Sequence, residues 1–241
     1  MGTFWSRAAA AAALVAAGVQ AQAATVTLTG WAFGSGNQVS TNMYSGQAGA
    51  FKGSLSGTGA TDTTDFITYC IELSEAFSFG STPMIGYTVV DGATYFRARQ
   101  NDAGIADLLG RLLTFVSQNP TLVGTAAEST SMQLAVWNAV YDTDHTVTGN
   151  NSSFRDTSPY KTDANTLLIG ARGIATSSFD VFALQRAGSQ DFLLATQRTL
   201  RDSPSANGVP EPASLALVAL ALVGAGAARK RSVSRLGAAT A

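Results

Sequence analysis

Asp65-Phe66-Ile67-Thr68-Tyr69-Cys70-Ile71-Glu72-Leu73 reads as a strand whose side chains alternate between two faces. Ile67, Tyr69, Ile71 and Leu73 make the more apolar face, and Phe66, Thr68, Cys70 and Glu72 the other, so the alternation predicts that Cys70 turns away from the more apolar side. Strand character continues on both sides of this run. Upstream, Val26, Leu28, Trp31 and Phe33 alternate between Thr25 and Phe33, and a Gly/Ser/Asn-rich stretch to Gly59 carries strand-like fragments near Tyr44 and Phe51. Downstream, Tyr87 to Val90, Phe179 to Leu184 and Asp191 to Ala195 read the same way.

Between these strands the period changes. Ile105, Leu108, Leu109, Leu112, Leu113 and Val116 keep helical spacing, with Asn101 or Asp102 as cap and Asn119-Pro120 as stop. A second helix is predicted from about Thr130 to Tyr141 after a cap at Ser129 or Thr130. A third spans Ala164 to Arg172, capped by Thr162 or Asp163 and closed by Gly173. The expected fold class is α+β: a β-rich sandwich or barrel-like domain with a helical insertion at about 101–173, flanked by an N-terminal signal helix and a C-terminal transmembrane helix.

The two ends carry addresses. Arg7 precedes an uncharged run from Ala8 to Val19, and Ala21-Gln22-Ala23 is the small-x-small pattern a signal peptidase accepts, so residues 1–23 read as a signal peptide for the Sec export machinery. That apolar run falls short of the ~20 residues a membrane span needs. At the other end, Val209-Pro210-Glu211-Pro212 leads into an apolar run at 213–228 and then Arg229-Lys230-Arg231, with Arg235 extending the basic cluster. Prolines on both sides of Glu211 keep the motif extended, and the basic anchor holds the far end in the cytoplasm, which puts the domain outside.

This order of features resembles the PEP-CTERM proteins, which a membrane protease called exosortase sorts in Gram-negative bacteria. The resemblance covers Val209 to Arg231. It implies an exosortase cut near Pro210-Glu211-Pro212, converting an inner-membrane-anchored precursor into a protein of the cell surface or extracellular matrix. The expected organisation is a signal peptide at 1–23, an extracellular domain at 24–202 and a linker at 203–209. A sorting signal at 210–231, with its transmembrane segment at 213–228, and a cytoplasmic tail at 232–241 complete it.

Of the 15 Lys+Arg, five lie in the two ends, as does one of the 16 acids. Ten bases and fifteen acids remain between them, a balance of about −5 that argues against a nucleic-acid partner. Low charge with abundant Gly, Ser and Thr suits an extracellular β-rich protein. One cysteine stands out against that setting. In an exported chain the single Cys70 is a buried thiol, half of an intermolecular disulfide, or a residue with chemistry of its own.

The second predicted helix puts Gln133 on the same stripe as Val136, Trp137, Val140 and Tyr141. A buried amide left unpaired costs about 1–3 kcal/mol, so Gln133 is either hydrogen-bonded or chemically consumed, and Cys70 is the only thiol available to consume it. Tyr69-Cys70-Ile71-Glu72 and Met132-Gln133-Leu134-Ala135-Val136-Trp137 resemble the two motifs of the thioester domains of bacterial surface adhesins. That resemblance implies an internal thioester between Cys70 and Gln133, shielded from water by Tyr69, Val136 and Trp137. It also implies single-use covalent attachment to an amine-bearing partner, with no turnover and no cofactor.

The alternative is a non-catalytic matrix or exopolysaccharide-associated protein in which Cys70 is a small buried hydrophobe. Asp142, Asp144 and His145 cluster after the helix, but Asp-x-Asp-His lacks the later ligands of a calcium loop and a second His or Cys for zinc, so a solvated loop is expected and no metal. A Cys70/His145 protease requires an orienting group that the sequence does not supply.

Overall fold

β1 (Ala24–Trp31) buries Ala24, Val26 and Leu28 and half-covers Thr25 and Thr27, the alternation of a sheet with one face on the core. It is the centre of an antiparallel sheet whose other strands are β4 (Phe51–Ser56), β5 (Thr63–Thr68), β6 (Met84–Asp91), β7 (Phe179–Gln185) and β8 (Phe192–Gln197). The spatial order is β5-β4-β1-β6-β7-β8, and β2 (Asn37–Ser40) and β3 (Ser45–Ala48) form a separate hairpin. A β-bulge between Leu28 and Gly30 brings the β1 backbone close to Gly53 of β4, where a Cβ would lie 1.7 Å from the Thr27 carbonyl oxygen. Only glycine fits that approach. The computed structural model describes residues 23–198 except 81, 143 and 150–152, so the expected signal helix, transmembrane segment and sorting tail lie outside the described residues. Among the described residues no helix is long and apolar enough to cross a membrane.

The two ends of the sheet meet. Past Thr68 the chain turns toward β8, where Leu193 N donates to Tyr69 O at 3.0 Å and Ile71 N donates to Asp191 O at 3.2 Å. Cys70 stands opposite Phe192 as an antiparallel bridge between those two bonds. Of the two expected architectures, sandwich or barrel, the result is a nearly closed, barrel-like sheet.

Four helices follow β6: α1 (Gly92–Gln100), α2 (Gly104–Gln118), α3 (Ala126–Tyr141) and α4 (Lys161–Gly173). The helical insertion therefore begins at Gly92 and not near 101. Asn101, expected as an N-cap, is the left-handed C-cap of α1, with φ 57°. Asp102 still serves the start of α2, its Oδ1 accepting from Gly104 N at 2.7 Å, and Asn119 ends α2 as expected.

α3 starts four residues earlier than predicted, on a capping box in which Glu128 N donates to Thr125 Oγ1 and Thr125 N donates to Glu128 Oε2. Ser129 and Thr130 are not caps, because tertiary partners claim their hydroxyls. Ser129 Oγ accepts from Ala50 N at 2.7 Å, and Thr130 Oγ1 donates to Ala48 O at 2.9 Å. These bonds fix α3 against the β3–β4 link. Every residue from Ser129 to Val140 is buried, so α3 is a central helix and not a half-exposed one.

The face predicted for the run from Asp65 to Leu73 is inverted. Ile67 is 54% exposed whereas Phe66 is 4% and Thr68 1% exposed, so the covered side of β5 is the one that carries Cys70. Alternation separates two faces without saying which of them the helices cover. Beyond Thr68 closure of the barrel buries both sides, and Tyr69, Cys70, Ile71 and Glu72 are all core residues.

Candidate functional site

In an antiparallel ladder the N–H and C=O of one residue point the same way, and neighbouring residues alternate. Tyr69 and Ile71 direct theirs at β8, which leaves the buried N–H and C=O of Cys70 aimed at the helices with no strand to meet them. Gln133 of α3 meets both. Cys70 N donates to Gln133 Oε1 at 3.0 Å, and Gln133 Nε2 donates to Cys70 O at 2.8 Å. Residues 63 positions apart in sequence are thus clamped amide to peptide, with Gln133 fully buried and Cys70 6% exposed. The run Ser129–Val140 places Gln133, Val136, Trp137 and Val140 in the interior, as their stripe predicted.

Cys70 and Gln133 line one wall of a pocket of about 240 Å³. Trp31, Tyr44, Phe51, Phe77, Phe79 and Trp137 give it an aromatic wall; Glu72, Glu75, Gln47 and Gln190 add polar groups. The rings support one another, with Tyr44 and Trp137 centroids 5.1 Å apart, Trp31 and Phe79 5.2 Å, and Phe51 and Phe77 4.7 Å. Of the three residues expected to shield the pair, Trp137 lines this pocket. Tyr69 and Val136 are buried but do not line it.

Three polar atoms buried at this pocket have no hydrogen-bond partner: Glu72 Oε2, Glu75 Oε2 and Trp137 Nε1. Glu72 Oε1 accepts from Ser74 Oγ, and Glu75 Oε1 from Gly188 N at 3.2 Å. Burial pushes the Cys70 thiol well above its ordinary range, and the Glu72 carboxylate adds to the effect. Burial likewise raises Glu72; the Ser74 hydroxyl opposes the rise, Glu75 and Asp191 add to it, and Arg99 opposes it. Behind Glu72, Asp191 is fully buried and accepts from Tyr95 Oη at 2.7 Å and Arg99 Nη2 at 3.1 Å, while Arg99 Nη1 lies 3.8 Å from Glu72 Oε2.

Sequence reasoning missed most of the aromatic wall. Tyr44 arrives from the turn of the β2–β3 hairpin, and Phe77 and Phe79 from the irregular segment after Leu73, where no periodicity marks an inward residue. Glu72 falls inside the Tyr69–Glu72 motif, which by itself assigns it no role. His145 does not line the pocket; it sits in a turn with φ 56°, and Asp142 organises that loop by accepting from Asp144 N and Phe154 N. Among the described residues no three His, Cys, Asp or Glu side chains gather to hold a metal ion.

Beyond the described residues, the sequence itself supplies the decisive match. Residues 208–231 match the PEP-CTERM protein-sorting motif. That motif points to an exported surface protein. A solved structure of the N-terminal thioester domain of a surface protein from Clostridium perfringens, in a variant with a cysteine replaced by alanine, is similar at TM-score 0.40 and 15% identity. The similarity covers 60% of this chain and 89% of that one. No curated protein matches the chain.

Proposed function

We propose that the exported domain stores an internal thioester between Cys70 and Gln133 and uses it once, to attach covalently to an amine-bearing partner outside the cell. The observation that carries this reading is the clamp itself: the Gln133 side-chain amide is held against the Cys70 peptide by two hydrogen bonds, and both residues line one pocket. Attack of sulfur on the Gln133 carbonyl carbon expels ammonia, and an incoming amine later displaces the thiol. The aromatic wall holds water away in the interval. Export begins at the signal peptide 1–23, and exosortase releases the domain 24–202 from the membrane segment 213–228 by cutting near Pro210-Glu211-Pro212.

A second reading has its own observation. Both polar atoms of the Gln133 amide are already satisfied by Cys70, so Gln133 also works as a purely structural clamp in a matrix protein with a buried thiol. Intact mass of the exported domain separates the two. The thioester makes it lighter by one ammonia, and Cys70→Ala and Gln133→Ala each restore the full expected mass. A wild-type domain of full mass whose thiol is alkylated on unfolding leaves only the structural clamp.

A further inference from the structure

Glu72 stands two residues after Cys70 in an extended segment, so the two side chains share a face and line the same pocket with Gln133. The Glu72 side chain is 6% exposed, and its Oε2 accepts no hydrogen bond, the Arg99 guanidinium standing off at 3.8 Å. A buried acceptor that no donor reaches within hydrogen-bond distance is costly to keep, and a catalytic role is one of the reasons a fold retains it. Glu72 also lines a second opening with Ser74, Tyr95, Arg99 and Tyr141, so its carboxyl lies between the Cys70 pocket and the Arg99–Asp191 cluster.

We infer that Glu72 is the proton acceptor for bond exchange at Cys70 and Gln133, an inference that rests on the thioester reading. In forming the bond, the Cys70 Sγ–H proton passes to Glu72 Oε2, sulfur bonds to the Gln133 carbonyl carbon, the carbon–nitrogen bond breaks, and the leaving nitrogen takes the proton away as ammonia. In the onward reaction an amine nitrogen bonds to that carbon and the carbon–sulfur bond breaks. The surplus proton on nitrogen goes to Glu72 and from there to sulfur, ending as thiol plus amide. No oxidant, metal or further reactant enters either step.

A proton acceptor is needed here because burial holds the thiol in its neutral, weakly nucleophilic form. A carboxyl raised by its surroundings is better matched to that task than one in water. The groups that face Glu72 are Cys70, Ser74 and Glu75 on its own segment, Tyr95 and Arg99 from α1, Tyr141 from α3, and Asp191 before β8; besides burial, Ser74, Glu75, Asp191 and Arg99 displace its titration.

The test follows loss of the thioester in the exported domain with methylamine as probe, read by intact mass as gain of the amine and release of the Cys70 thiol. At a fixed concentration of unprotonated methylamine, wild type should slow as pH falls through a value above the 4.5 of an ordinary glutamate. Glu72→Gln should react roughly a hundredfold more slowly with that inflection gone, while Asp180→Asn, at an exposed carboxylate paired with Arg198 away from the pocket, keeps both rate and profile. A flat wild-type profile, or Glu72→Gln reacting within about twofold of wild type, overturns the role of Glu72 and leaves the thioester standing. A wild-type domain with no mass deficit overturns both. The wild-type profile decides even if Glu72→Gln does not fold.

Discussion

Cys70→Ala separates a covalent pair from a hydrogen-bonded one, because the variant keeps an intact Gln133 amide with both bonds to the backbone N–H and C=O of residue 70, whereas a thioester has given up Nε2 and its bond to Cys70 O. If sulfur is bonded to Gln133, the variant loses a cross-link between positions 63 apart. The chain-entropy relation then puts the loss at roughly 4 kcal/mol. Removing a buried sulfur adds about 1 kcal/mol of lost packing. The Gln133 Nε2 bond regained in the variant returns about 1 kcal/mol, so the net loss of about 4 kcal/mol corresponds to a fall in Tm of roughly 8–16 °C for a domain of this size. If the thiol is merely buried, only the packing loss remains. Equilibrium denaturation in guanidinium, with intact mass recorded on the folded starting material, gives the number. A loss below about 2 kcal/mol refutes the cross-link.

Gln133→Leu keeps the volume of the side chain and strands two buried backbone groups of Cys70; measured in the Cys70→Ala background, it should cost about 2–4 kcal/mol, and a cost under about 1 kcal/mol means that water or another group takes over the clamp. Thr125→Ala removes one half of the α3 capping box and should lower stability by about 1 kcal/mol, with thermal unfolding as the check. Glu72 and Asp191 both have pKa values raised by burial, so the folded protein holds protons that the unfolded chain releases. Their contribution is complete below the ordinary values of 4.5 and 3.8 and is lost as pH rises through the displaced ones. A series of denaturation midpoints should show Glu72→Gln flattening that decline, and an unchanged slope would contradict the assignment.

Much of this fold is legible in the linear pattern, since period-2 and period-3.6 runs depend on local geometry alone. The alternation of Val26 and Leu28, the Ile105–Val116 stripe, the stop at Asn119-Pro120 and the pair of strands Phe179–Gln185 and Phe192–Gln197 all stand close to where the pattern put them. Where it misled, the cause was tertiary. Ser129 and Thr130 have the chemistry of caps, but in the fold their hydroxyls bond to Ala50 and Ala48, and Thr125 does the capping.

By itself the sequence determined the sorting motif and singled out Cys70 and Gln133. A signal-like start, the sorting motif at 208–231, one thiol and one amide on an apolar helical stripe are properties of residue type and order. Only the tertiary structure decided what surrounds them. Closing the sheet between Tyr69–Ile71 and β8 aims the Cys70 peptide at α3, which gives Gln133 its partner; the same closure brings Glu72 and six aromatic rings from distant segments around that pair. Those contacts depend on which strands meet at the seam, and no local periodicity records that.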